Sequence, residues 1–150
     1  MKIVKVTPEN FNEWLDLTLK LWQDVSRAEM QEGLENILKS EREAGFIARN
    51  DDGKTMGFIN LSLRSDYVAG ATSSPVAYVE GIYVKDEYRH QGVGKYLIDF
   101  ASQWALEHGC TQLASDALID NTISYEFHTK VGFQEVDRVV TFIKQIVILS

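Results

Sequence analysis

One six-residue stretch, Arg89-His90-Gln91-Gly92-Val93-Gly94, restricts this chain more than any other part of it. It follows an apolar strand, Val79 to Val84, and opens an amphipathic helix. Glycines at a strand-to-helix junction let the backbone approach a ligand, because no Cβ stands in the way. The N–H groups of the helix's first turn have no partners within the helix, and with the helix dipole they favour an anion such as phosphate. The junction therefore points to a phosphate-bearing cofactor.

The surrounding pattern is that of one α/β domain over residues 1–150. Lys2 to Val6 reads as a strand, and Thr7-Pro8 as the start of a helix carrying Phe11, Leu15, Leu19 and Trp22 at helical spacing. A second helix is expected from Ser26, with Glu29 completing a capping box, to about Glu43. Gly45 to Arg49 and Thr55 to Leu63 read as strands joined by Asp51-Asp52-Gly53, a hairpin signal. A polar loop leads to a strand over Val76 to Val84. After the glycine loop, Val93, Tyr96, Leu97, Phe100, Ala101 and Trp104 form the clearest apolar stripe, ending near Gly109. Gln112 to Ser115 reads as a short strand and Asn121 to Gly132 as a helix. Phe133 to Leu149 reads as β-rich, with a break near Glu135 to Asp137. The order β-α-α-β-β-β-α-β-α-β describes a mixed sheet with helices packed on it.

Composition excludes several functions. The net charge of −7 argues against nucleic acid and favours a cationic substrate. The longest late apolar run, Ile146 to Leu149, is too short to span a bilayer, and no signal core opens the chain, so a cytoplasmic protein with no membrane role is expected. The single Cys110 reads as a buried structural thiol. His90, His108 and His128 are scattered, so no metal is expected.

Three glycine loops compete for Arg89 to Gly94. A P-loop needs a glycine where Arg89 stands and a Ser or Thr where Tyr96 stands. A dinucleotide fingerprint needs a third glycine at Leu97. What remains, beside an ordinary glycine-containing helix start, is Arg/Gln-x-x-Gly-x-Gly. This pattern resembles the pyrophosphate loop of the GCN5-related N-acetyltransferase superfamily. The resemblance implies acetyl-CoA as co-substrate, held by Arg89, His90, Gln91, Gly92, Val93, Gly94 and Lys95.

Asn121 to Phe133 strengthens it. The superfamily's second signature is Asn-x-x-Ala-x-x-Leu-Tyr-x-Lys-x-Gly-Phe, and Asn121, Lys130, Gly132 and Phe133 match it. Asn121, Ser124 and His128 fall within ~20° of one helical stripe, while Ile123, Phe127 and Val131 are expected to face the core. His128 replaces the usual tyrosine, the family's proposed general acid for the departing thiolate. An imidazole titrating near neutrality could take that part or merely hydrogen-bond the cofactor. Asn121 and Ser124 are implied to contact the cofactor.

The acceptor side is written around Tyr78-Val79-Glu80-Gly81-Ile82-Tyr83-Val84, similar to the superfamily's central strand. Gly81 marks a bulge or a close backbone approach. In the family such a bulge frees backbone N–H groups for the pantetheine arm, which implies cofactor contacts at Ile82, Tyr83 and Val84. One freed N–H would serve as an oxyanion donor. Arg64-x-Asp66-Tyr67-Val68-x-Gly70, Thr72-Ser73-Ser74-Pro75-Val76, Glu80-Gly81-Ile82 and Ala114-Ser115-Asp116 together resemble aminoglycoside 6'-N-acetyltransferases.

That resemblance implies direct transfer of acetyl to the 6'-amine of a cationic aminoglycoside, with antibiotic resistance as the outcome. Such an amine, protonated like lysine, attacks only after losing a proton, so carboxylates are needed beside it. Asp116 is expected to contact the reacting amine and Glu80 is the alternative base. Trp22, Tyr67 and Asp137 are implied as further acceptor-pocket residues, and a homodimer is implied, with Val139 to Leu149 able to pair or exchange strands. The rival readings are a polyamine or peptide-amine acetyltransferase and a non-catalytic acyl-CoA-binding module.

Overall fold

The computed structural model describes residues 1–148, which fall into two compact units: Met1–Asp116, and a second that begins at Ala117.

In the first unit, strands β1 (Lys2–Lys5), β2 (Glu43–Arg49), β3 (Thr55–Arg64), β4 (Val76–Val84) and β5 (Leu113–Ala114) form one sheet in sequence order. The pairs β1–β2, β2–β3 and β3–β4 are antiparallel, and β4–β5 is parallel. The expected mixed sheet is therefore present. β5 is shorter than the expected strand from Gln112 to Ser115, and pairs with β4 only through Ala77–Leu113 and Tyr78–Ala114.

Helices α1 (Phe11–Leu21) and α2 (Arg27–Lys39) supply Trp14, Leu15, Leu17, Met30 and Leu34 to a core with Val6, Ile47 and Phe58. Burying Trp14 requires a partner for its indole N–H, and Asn60 Oδ1, itself buried, accepts it at 2.8 Å. Helix α3 (Val93–Glu107) buries Val93, Leu97, Ala101 and Trp104 of the expected stripe; Tyr96 and Phe100 are only partly buried, and Ile98 and Ala105 are buried in addition. Phe100 meets Phe46 of β2 edge-on at 4.6 Å between ring centroids. Cys110 is buried, as expected.

Two helix boundaries differ from the sequence reading. α1 starts at Phe11, not at Pro8, because the Asn10 side chain closes a turn first. Its Oδ1 accepts the Thr7 N–H at 2.8 Å, and its amide donates to the Lys5 carbonyl at 3.2 Å. α2 begins where Ser26 accepts the Glu29 N–H at 3.2 Å, but stops at Lys39, and β2 takes over from Glu43. A 3-10 turn, Asp86–Tyr88, follows β4 and has no counterpart in the sequence reading.

In the second unit, α4 (Thr122–Lys130) lies close to its expected span, but none of its residues is buried. Ile123 is 76% exposed, and Phe127 and Val131 are only partly covered, which corrects their expected core role. No strand forms over the described residues 133–148, against the β-rich reading; Leu149 lies outside the described residues. Strand propensity is realised only against a neighbouring strand, and among the described residues this segment pairs with none.

Candidate active site

The geometry of the site begins with one irregularity in the sheet. Along β3–β4, Asn60 pairs with Gly81 and Leu61 with Val79, so Glu80 is an extra residue on β4 with no partner opposite. Gly81 had pointed to a bulge, and the bulged position is Glu80 itself. The Glu80 side chain meets two residues spaced two apart on β3. Ser62 Oγ donates to Glu80 Oε2 at 2.6 Å, and Arg64 donates through Nε and Nη2 to Oε2 and Oε1 at 2.9 and 2.7 Å. Burial pushes the Glu80 carboxyl up, but the Arg64 guanidinium and the Ser62 hydroxyl outweigh it and hold the group below the usual carboxylate range. Glu80 is thus an anion paired in a fork with a fixed cation, which lowers its affinity for a proton.

The fork extends sideways along the sheet. Arg64 Cζ stands 3.4 Å above the centre of the Tyr78 ring, and the Tyr78 hydroxyl donates to Asp116 Oδ2. Burial, then the bond to Asp116, pushes the Tyr78 phenol upward, so it remains a donor at neutral pH. Asp116 is exposed, just beyond the end of β5. The two carboxylates singled out in the sequence are therefore linked through Arg64 and Tyr78, neither of which the sequence reading assigned to the site. The signal available was alternation: Ser62 with Arg64, and Tyr78 with Glu80, are two apart on neighbouring strands. It becomes informative only with the register and the bulge in hand.

Trp22, just past α1, lies against the same bulge. A Cβ added to Gly81 would sit 2.4 Å from Trp22 Cη2, so glycine is required there by contact. The Trp22 ring is also 6.0 Å from that of Phe58, which places it on the core margin as well as on the bulge. Tyr67 lies in the loop between β3 and β4 with 88% of its surface exposed. Asp137 belongs to the second unit, where its Oδ1 accepts the Arg138 N–H at 2.8 Å.

On the donor side, Gly92 caps α3 with φ of +83°, the left-handed region that favours glycine, and no side chain caps the helix. His90 shares that region at φ of +62°. The first helical bond runs from the Tyr96 N–H to Gly92 O, which leaves the N–H groups of Val93, Gly94 and Lys95 without acceptors inside the helix. Arg89 Nε donates to Val84 O at 3.1 Å, and Gln91 donates to Glu87 O at 3.1 Å, tying the loop to the end of β4. Lys95 pairs with Asp99 at 2.7 Å on the exposed face of α3. Beyond Tyr78, β4 has no strand partner on the β5 side among the described residues, so Ile82, Tyr83 and Val84 present an unpaired edge there. An uncapped helix start beside an open strand edge fits a ligand with a diphosphate and an amide-bearing arm.

In α4, Asn121 caps the helix by accepting the Ser124 N–H at 3.1 Å. His128 Nδ1 lies 2.7 Å from Ser124 O and 3.3 Å from Ser124 Oγ. A carbonyl only accepts, so Nδ1 carries the proton, and Nε2 gives up a proton only from the imidazolium form. The expected Asn121–Ser124–His128 stripe is present. Among the described residues no cluster of His, Cys, Asp and Glu could hold a metal, and no helix is long and apolar enough to cross a membrane.

Comparison with known proteins agrees with this geometry. Residues 8–133 match the Acetyltransferase (GNAT) family. The chain is 38% identical over 146 residues to an aminoglycoside N(6')-acetyltransferase type 1 of Acinetobacter genomosp. 13, covering 97% of this chain and 99% of the relative. It is 40% identical over 142 residues to the enzyme of that name from Serratia marcescens, covering 95% and 97%. The apo crystal structure of an aminoglycoside antibiotic 6'-N-acetyltransferase from Acinetobacter haemolyticus superposes with a TM-score of 0.91 at 37% identity, covering 97% of this chain and 99% of that one. AAC(6')-Iy, solved with the bisubstrate analogue CoA-S-monomethyl-acetylneamine, gives 0.91 at 36% identity, covering 97% and 98%. With its uncapped glycine loop, its bulged central strand and a family match spanning both units, the chain belongs to the GNAT acetyltransferase family.

Proposed function

We propose that this protein transfers the acetyl group of acetyl-CoA to the 6'-amine of aminoglycosides. The observation that carries this reading is the half-buried carboxylate Glu80 at the bulge of β4, linked through Arg64 and Tyr78 to the exposed carboxylate Asp116. An anionic pair beside an open strand edge suits a polycationic acceptor. The names and the bisubstrate complex of the relatives support the same substrate class.

In this reading the N–H groups of Val93, Gly94 and Lys95, with Arg89, His90 and Gln91, bind the pyrophosphate. The β4 edge at Ile82, Tyr83 and Val84 orients the pantetheine arm and polarises the thioester carbonyl, and Asn121 and Ser124 of α4 bind the cofactor. The neutral 6'-amine attacks the carbonyl carbon, an N–C bond forms, and the C–S bond breaks. Asp116 contacts the amine and takes its proton directly or through water, while Glu80, already shared with Arg64, neutralises neighbouring ammonium groups. Imidazolium His128 protonates the departing thiolate. Trp22 and Tyr67 contact the acceptor, and Asp137 is a further acceptor-binding residue.

Both units act as one acetyltransferase domain in the cytoplasm, where acetylation removes an ammonium charge from the drug and produces resistance. The protein works as a homodimer. Support comes from the C-terminal segment, in which Val139, Val140, Phe142, Ile143, Ile146 and Ile148 are each at least 74% exposed, an apolar surface that calls for cover. A purely monomeric species in sedimentation at micromolar concentration would overturn the dimer.

Thiol release from acetyl-CoA tests the function, with a kanamycin-type aminoglycoside, spermidine and a lysine peptide as acceptors. The aminoglycoside should be turned over at least ~10-fold more efficiently than either alternative, the scale of a specific polar contact. Equal or better turnover of spermidine would displace the proposal, and no turnover of any amine would favour a binding module.

A further inference from the structure

Tyr78 contacts the site from two sides without a part in the steps above. Its ring is roofed by Arg64 at 3.4 Å, its hydroxyl donates to Asp116 Oδ2, and the residue is only 8% exposed. Asp116 itself sits in an exposed position past β5. Tyr78, by contrast, is anchored in the sheet opposite Ser62 of β3 and Ala114 of β5. The Arg64 guanidinium on its ring is fixed in turn by the two-pronged pair with Glu80. A buried donor anchored in the sheet thus holds an exposed carboxylate.

We propose that Tyr78 is a positioning residue for acetyl transfer: its hydroxyl occupies Oδ2 of Asp116 and leaves Oδ1 to receive the acceptor amine, while the Glu80–Arg64 pair clamps the phenol ring. The proposal rests on the reading of Asp116 as the carboxylate that meets the amine. It gives Glu80 a second task, since the fork that holds Glu80 also sets Arg64 over Tyr78. Burial keeps the phenol protonated, so it donates throughout the working pH range.

The test compares Tyr78→Phe, Asp116→Asn and the double variant in steady-state kinetics with acetyl-CoA and a kanamycin-type aminoglycoside. Phenylalanine keeps the ring and its contact with Arg64, and the oxygen it removes leaves only the exposed Asp116 without a donor, so the fold is retained. Y78F should lose about 10- to 100-fold in kcat/KM for the aminoglycoside, mainly in kcat, because orientation rather than charge is lost. The KM for acetyl-CoA should stay within about twofold, since no donor-side contact changes. Y78F/D116N should be no worse than D116N alone, because a residue acting through Asp116 has nothing left to act on. Wild-type efficiency in Y78F beside an impaired D116N would overturn the positioning role and leave the proposed function standing. Losses that multiply in the double variant would assign Tyr78 a separate, structural part. Wild-type efficiency in D116N would overturn the reading of Asp116 on which the proposal stands.

Discussion

Two arginine–glutamate forks in the first unit are built alike and put to different use. In one, Arg49 donates to both oxygens of Glu13 at 2.9 and 2.8 Å, and Thr55 Oγ1 adds a bond of 2.7 Å, which ties α1 to the β2–β3 hairpin. In the other, Arg64 grips Glu80 and Ser62 adds the third bond, at the bulge of β4. The Arg49 hydrogen bond dominates Glu13 and lowers its pKa to about 2. At Glu80 the largest influence is burial, acting the other way, and much of what Arg64 and Ser62 contribute offsets it. The same three bonds make a fastener where water still reaches the carboxylate. Where water is partly removed, they offset the burial and keep the carboxylate charged. Geometry alone does not separate the two; the solvation of the anion does.

Substitution should widen that contrast. Glu80→Gln leaves Arg64 without its anion and takes one charge from the acceptor side, so kcat/KM for an aminoglycoside should fall about 10- to 100-fold while the melting temperature changes little. Gly81→Ala drives a methyl group into Trp22 at the same bulge. Overpacking of this kind costs about 1–3 kcal/mol, visible in denaturant unfolding together with a raised KM for the acceptor.

Glu13→Gln should do the reverse of Glu80→Gln, with kinetics unchanged and stability lowered by about 1 kcal/mol once solvent screening is allowed for, or about 2–4 °C in melting temperature. The sign with pH follows from the lowered pKa. The ion pair stabilises the fold above about 4.5 and is lost as the pH falls through about 2, so the difference between wild type and variant should shrink over that window. The smallest change is expected of His128→Ala. A thiol of ordinary acidity leaves as a thiolate near neutral pH without much help, so kcat at saturating acetyl-CoA should drop less than ~10-fold. An unchanged kcat across pH would remove His128 from the proton-transfer step.

How far the sequence discloses this molecule depends on whether a feature is local. Helix α3, the hairpin at Asp51-Asp52-Gly53 and the cap at Ser26 depend on neighbours within a turn or two, and all are found, although Ile98 and Ala105 are more deeply buried in α3 than the expected Tyr96 and Phe100. The start of α1 was misplaced because Thr7-Pro8 is a good helix opening, yet Asn10 offers the backbone a competing turn. The apolar residues after Phe133 carry strand propensity, but a strand needs a partner, and among the described residues they pair with none. The motifs single out Glu80 and Asp116, which the structure links to each other. Arg64 and Tyr78 are not singled out, because their roles arise from a cross-strand register and a one-residue bulge, to which composition and periodicity are blind.

The decisive comparison is between a kanamycin-type aminoglycoside bearing a 6'-amine and its counterpart bearing a 6'-hydroxyl, each incubated with the enzyme and acetyl-CoA. Product should form only from the amine, with the acetyl group on the 6'-nitrogen by NMR. Equal turnover of the two compounds, or an acetyl group on a different nitrogen, would contradict a site in which Asp116, steadied by Tyr78 and flanked by Glu80, receives the 6'-amine.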